Sequence, residues 1–198
     1  MEKYISKKEK ASYGFAAVGS YMVAGITQSY LMYFFTDILI IPSAFVMMLM
    51  IVARAWDALN DPMMGVIVDR TSTKYGKMRP YVLIGSFLML VTTIVLFMPL
   101  TGAPTMFKMI FAAVSYIIFG MAYTLTDVPA MGLMSVATPN SDERASLLSF
   151  YVTVGSVGSL LPVGLLTIFQ SFIPEKYVYF AMSIFVGIIT SAAYLTLF

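Results

Sequence analysis

Arg54-Ala55-Trp56-Asp57-Ala58-Leu59-Asn60-Asp61-Pro62 places one arginine and two aspartates inside a stretch otherwise apolar enough to cross a bilayer. Each ionised side chain at mid-membrane costs about 2.5–3.5 kcal/mol, so three together cost on the order of 8–10 kcal/mol unless they are paired or ligated. The compensation has to come from each other, from a bound cation, or from water in a transport pathway. On a helix, Asp57 and Asp61 are i,i+4 and share a face, Asn60 lies beside them, and Arg54 is one turn before Asp57. Two carboxylates and an amide oxygen converging in low dielectric make a hard-oxygen cage that suits a desolvated alkali cation or a shared proton.

The surroundings of this stretch are a membrane sequence. The 198 residues are 60% hydrophobic and 11% charged, with a mean hydropathy of +0.87. Soluble domains carry about 25% charged residues. Cysteine and histidine are both absent, which removes disulfides, the usual zinc sites and Cys- or His-based catalysis. The acids lack an evident nucleophile or metal partner, so an enzyme is not expected. A net charge of +2 gives no reason to expect nucleic acid.

Charge, proline and glycine mark off six apolar segments near the ~20 residues that a bilayer requires, at 13–37, 43–68, 80–100, 106–136, 146–172 and 177–198. The fold expected is an all-α membrane protein, one bundle over 1–198, built as two three-helix repeats. Lys3, Lys7, Lys8, Lys10, Arg70, Lys74, Lys77, Arg79 and Arg144 fall in the tail and alternate loops, leaving Lys108 and Lys176 for the others. The positive-inside rule then puts both termini in the cytoplasm of a plasma or inner membrane. Pro62, Pro129 and Pro162 fall inside spans, where each can kink its helix. The small residues of the fifth span, Gly155, Ser156, Gly158, Ser159 and Gly164, suit close helix packing, with a cavity-lining role as the alternative.

The fourth span carries a matching stripe. Tyr116, Gly120, Tyr123, Thr124, Asp127 and Met131 recur at three- and four-residue steps. Thr124 can add a hydroxyl to a cation cage, and Tyr beside a carboxylate suits a sugar, whose hydroxyls seek acceptors and whose C–H face stacks on an aromatic ring. The plainer alternative makes Arg54–Asp57 a buried ion pair and Asp127 the cap of a kink at Pro129. One arginine, however, cannot neutralise two carboxylates.

The run Arg54 to Gly65, followed by Gly76-Lys77-Met78-Arg79-Pro80, resembles the glycoside–pentoside–hexuronide:cation symporters, relatives of the melibiose carriers in the major facilitator superfamily. Ser12 to Gly19, Tyr30 to Asp37 and Gly120 to Pro129 fit the same pattern. The resemblance implies a sodium, lithium or proton site at Asp57, Asn60, Asp61 and Thr124, with the cation co-transported and no other cofactor. It implies sugar contacts at Asp127 and Tyr123. It also implies a cytoplasmic conformational motif comprising Gly65, Asp69, Arg70, Gly76, Lys77 and Arg79. Arg54 would tune the site's electrostatics. The chain departs from the melibiose type in three sugar contacts: Tyr21 stands for an aspartate, Met131 for a tryptophan and Val152 for an arginine. The expected substrate is therefore a sugar or glycoside other than a typical galactoside.

Such carriers have about twelve helices, so the expectation is an N-terminal half, either a truncated product or a half-transporter completed by a second copy or another chain. The rival reading is a non-transporting membrane module, a regulatory subunit or the relic of a split transporter.

Overall fold

The computed structural model describes residues 4–197, and all its regular structure is helical. The helices are α1 (Lys7–Tyr33), α2 (Ser43–Arg70), α3 (Arg79–Leu96), α4 (Thr105–Val136), α5 (Ser141–Gln170) and α6 (Glu175–Leu195), with a π-helical segment, Phe34–Ile38, continuing α1. Helices α2 to α6 are long and apolar enough to cross a membrane. The 27 residues of α1 suffice in length, but its composition is less apolar, with three lysines and a glutamate in its first turn and Ser20, Thr27 and Gln28 further on.

The ends of these helices follow local chemistry. Prolines 42, 104 and 174 each occupy the N-cap of α2, α4 and α6, the three helices that start on one side. On the other side, Ser6 and Glu9 form a capping box for α1, and the Asn140 side chain caps α5. These caps start α1 six residues and α5 five residues before the apolar stretches begin. Helix α3 ends at Leu96, earlier than its hydropathy suggests, because Pro99 disfavours the helical conformation at the residue before it. Pro62, Pro129 and Pro162 are accommodated inside helices, as expected.

Packing runs in the order α2–α4–α3–α6–α1–α5. Exchanging α1 with α4, α2 with α5 and α3 with α6 turns this order into its own reverse. The two ends of the row are the least covered: 22% of the apolar window of α2 and 17% of that of α5 are buried, against 56% for α6. Exposed Met47, Met48, Ile51, Leu59, Leu160 and Val163 lie on these outer helices. Apolar surface of this extent is what lipid or another apolar partner covers.

Small residues let α1 approach its neighbours backbone to backbone. A Cβ on Gly158 of α5 would lie 2.8 Å from the Val18 carbonyl oxygen, and one on Gly19 would lie 3.0 Å from Thr190 Cα of α6. Thr190 Oγ1 donates to the Gly19 carbonyl at 2.8 Å. Gly155 meets the Tyr21 ring, whereas Gly164 faces open space. The small-residue pattern of α5 is thus packing at Gly155 and Gly158.

Lys108 is not in a loop. It sits in the first turn of α4, buried, and its ammonium donates at 2.9 Å to the carbonyl of Leu39. A cation there also complements the negative end of the helix that α1 and its π-helical extension form.

Candidate cation and sugar site

Helices α2 and α4 both start at a proline on the same side and so run parallel. The i,i+4 pair Asp57 and Asp61 therefore meets the i,i+4 pair Gly120 and Thr124 in register. Asp57 Oδ1 lies where a Cβ on Gly120 would be 3.1 Å away. One turn further, Thr124 Oγ1 donates to Asp61 Oδ1 at 2.7 Å. Gly120 is thus the residue that leaves room for a carboxylate between the two helices.

These residues line a cavity of about 410 Å³ between α1, α2 and α4. Ala24, Thr27 and Gln28 close it from α1; Arg54 and Trp56 join the aspartates from α2; Tyr116, Phe119 and Tyr123 face them from α4. Arg54 lies within electrostatic reach of Asp57, but among the described residues no salt bridge of 4.0 Å or less joins it to either aspartate. Asn60 lies outside the cavity lining, with its Nδ2 buried and lacking a hydrogen-bond partner; the indole Nε1 of Trp56 is in the same condition. Carboxylate, hydroxyl and amide oxygens form a donor set for a hard cation, and the ring-lined remainder suits a polyol.

A second polar network adjoins the first. Asp127 Oδ1 accepts from Ser20 Oγ at 3.0 Å and from the Tyr194 hydroxyl at 3.2 Å. Ser20 Oγ also lies 3.3 Å from the Tyr123 hydroxyl. Asp127 is outside the cavity lining, but the Ser20 hydroxyl links it to Tyr123, which lines the cavity. Tyr21 and Met131 are elsewhere: both pack on the apolar cluster of Ala17, Met134, Leu147 and Tyr151. Tyr21 meets Tyr151 edge-on, with ring centroids 6.2 Å apart. Val152 is exposed on α5.

The basic loop after α2 is a turn held by its own groups. Gly76 has φ +93°, a left-handed conformation that suits glycine; Thr73 Oγ1 donates to its carbonyl at 2.6 Å. Lys77 Nζ donates to the Asp69 carbonyl at the end of α2, 3.1 Å away. Arg70, Asp69 and Arg79 are exposed, and Gly65 has open space around it. Met78 tucks against Gly132 of α4. On the same side, Glu143 accepts from the backbone N–H groups of Tyr4 and Ile5 and from Thr138 Oγ1, and Arg144 donates to the Ser135 carbonyl.

Of the residues singled out from sequence, Arg54, Asp57, Asp61, Tyr123 and Thr124 come together around one cavity, and Asp127 joins through Ser20. Thr27, Gln28, Trp56, Ser20 and Tyr194 were not singled out. The last two are lone hydroxyls in apolar helices, and only tertiary contact shows their partners.

Comparison with known proteins gives the family of the chain. A family model described as MFS/sugar transport protein matches residues 12–198. An uncharacterized symporter, YjmB, of Bacillus subtilis is 37% identical over 161 residues, covering 80% of this chain and 35% of the relative. The inner membrane symporter YicJ of Escherichia coli is 35% identical, covering 79% and 34%. An isoprimeverose transporter of Lactiplantibacillus pentosus is 30% identical, covering 77% and 32%. The chain therefore spans about a third of the length of the curated relatives it matches.

Proposed function

This chain belongs to the MFS/sugar transport protein family, a family of transporters rather than enzymes, and on that premise we propose that it forms the cation-binding half of a cation-coupled sugar or glycoside symporter. The observation that carries the proposal is the meeting of Asp57 and Asp61 with Gly120 and Thr124 around a 410 Å³ cavity. In this reading sodium, lithium or a proton occupies the space between the two carboxylates, with Thr124 as a further oxygen ligand, while Asn60, expected from the sequence to join them, stays outside the cavity lining. Arg54, facing the same cavity within electrostatic reach of Asp57, offsets part of the acidic charge. Tyr123 and Asp127 meet the sugar, with Tyr116 and Trp56 as aromatic walls.

Coupling follows from charge. Two carboxylates one turn apart repel each other until a cation lies between them. Cation binding draws α2 against α4 and so favours the conformer in which the sugar-facing residues are assembled, which is linkage between two sites. Six spanning helices in two three-helix repeats, with both termini cytoplasmic, agree with the reversible packing order and the loop charges. A further six-helix half would complete the pathway, and the basic loop from Gly65 to Arg79 would act at the cytoplasmic gate. Tyr21 and Met131, held in the apolar cluster, shape the sugar pocket from behind instead of touching the substrate. The membrane is then the plasma or inner membrane, as the name of the Escherichia coli relative states for that protein.

The test is the melting temperature of the detergent-purified chain in sodium, lithium, potassium or choline chloride across pH 5.5 to 8.5. A rise with sodium or lithium that Asp61→Asn and Thr124→Val both abolish supports the proposal. A response to pH alone assigns the site to a proton. A chain whose melting is indifferent to cation and pH, and unaltered by Asp57→Asn, refutes it and favours the non-transporting module.

A further inference from the structure

Helix α6 packs on α3, α1 and α5 and supplies no residue to the cavity lining, yet two of its side chains act on groups beside the cavity. Thr190 and Tyr194 are i,i+4 and share a face. Thr190 Oγ1 donates to the Gly19 carbonyl where α1 and α6 are in backbone contact, which fixes the next residue of α1, Ser20. One turn further along α6, the Tyr194 hydroxyl donates to Asp127 Oδ1 at 3.2 Å, and Ser20 Oγ donates to the same oxygen at 3.0 Å. Ser20 and Tyr194 are both fully buried, so neither can exchange this acceptor for water. A carboxylate oxygen offers about two lone-pair sites. Two donors therefore fill Oδ1, whereas Oδ2 takes no hydrogen bond among the described residues, on a side chain that is only partly buried. The asymmetry holds in either charge state. Ionised, the carboxylate has its open acceptor sites on Oδ2; protonated, it carries the proton there, because a proton on Oδ1 would displace a donor.

We propose that Tyr194 is a positioning residue: acting with Ser20 from a helix outside the cavity, it holds Asp127 by Oδ1 and so sets the direction in which Oδ2 is offered to a substrate hydroxyl. A binding group must be held within about 0.5 Å of its productive place by neighbours that are themselves locked. The buried ring of Tyr194 and the Thr190 bond to Gly19 supply that locking. Without the phenol, Asp127 keeps one tether and its carboxyl is free to turn about the Cβ–Cγ bond. That Oδ2 meets a sugar rests on the function proposed above, but the clamp on Oδ1 does not.

Polarised infrared spectra of the purified full chain in stacked bilayers test the clamp with no sugar present, so its failure is separate from a failure of the cation response. The carboxyl stretch of Asp127 is the band lost in Asp127→Asn. Tyr194→Phe keeps the ring and removes one donor; the band should shift in frequency and lose dichroism. Tyr179→Phe is the same change on the same helix, but in the aromatic cluster with Tyr30, Tyr33 and Phe34, and it should leave the band in place. A band that Tyr194→Phe does not move overturns the proposal. So does a shift in frequency with unchanged dichroism, because Ser20 would then set the orientation without help. Equal displacement by Tyr179→Phe would reduce the effect to packing and overturn it as well. Melting does not decide the matter, since any buried hydrogen bond lost from a chain this size lowers the melting temperature by about 2–4 °C. Should Tyr194→Phe fail to fold, 3-fluorotyrosine incorporated throughout the wild-type sequence makes each phenol a stronger donor. The Asp127 band must then move, and an unmoved band refutes the clamp.

Discussion

Gly158→Ala and Gly164→Ala make the same chemical change on the same helix, yet they should move stability in opposite directions. Both remove a glycine from the interior of α5, so both gain the ~1 kcal/mol by which alanine exceeds glycine in helix propensity. Gly164 faces open space, and a Cβ there meets nothing within 4 Å. At Gly158 the new Cβ would lie 2.8 Å from the Val18 carbonyl oxygen and 2.9 Å from Val18 Cα. Neither is the end of a flexible side chain, so relief requires α1 to move away from α5. Overpacking of this kind costs about 1–3 kcal/mol. Propensity cancels between the two variants, and the difference isolates the helix contact. For a chain of this length that difference corresponds to a gap of about 2–12 °C in melting temperature, with Gly164→Ala the more stable. Helicity followed by circular dichroism during heating in a mild detergent reads it directly. Equal melting temperatures would show that α1 and α5 are not in backbone contact and would refute the packing order.

Three further outcomes follow from local geometry. Gly120→Ala puts a methyl group 3.1 Å from Asp57 Oδ1; the thermal response to sodium or lithium should weaken while melting in choline chloride stays nearly constant. Ile40 has φ 57° with 72% of its surface exposed, a conformation costly for a β-branched residue; Ile40→Gly should raise the melting temperature by about 1–4 °C after the entropy cost of glycine is deducted. The backbone and side-chain hydrogen bonds from Ser6, in that order, hold the exposed Glu9 carboxyl below its ordinary value of 4.5. A depressed carboxyl stabilises the fold above its unfolded value and loses that contribution as pH falls through the folded one. Amide protection at Ser6 and Glu9, measured relative to the intrinsic exchange rate at each pH, should therefore fall on acidification below about pH 4.5, and less so in Glu9→Gln.

What was legible in the sequence was what lies along one helix. The i,i+4 spacing of Asp57 and Asp61 put them on one face, and the 116–120–124 spacing put their partners on another. Parallel α2 and α4 then needed only to meet in register. Membrane segments could be read from hydropathy, but their ends could not, because a Ser6 capping box and the Asn140 cap extend helices into polar sequence. The hidden features depend on contacts between distant segments. Nothing in the sequence distinguishes Ser20 or Tyr194 from other hydroxyls, and Lys108 reads as a loop cation until the Leu39 carbonyl is seen above it. The sequence also could not separate Met131 from the stripe that lines the cavity, although its side chain turns to the α1–α5 cluster.

The central claim is that an alkali cation binds between Asp57, Asp61 and Thr124. The chain contains a single tryptophan, and Trp56 lines that cavity with an unpartnered indole N–H, so its fluorescence is a local reporter. Titration with sodium chloride against a choline chloride control at constant ionic strength should give a saturable change in intensity that lithium shares and potassium does not. It should vanish in Asp61→Asn. A flat titration in the folded wild-type chain, or a change that survives Asp61→Asn and Asp57→Asn alike, would contradict the account.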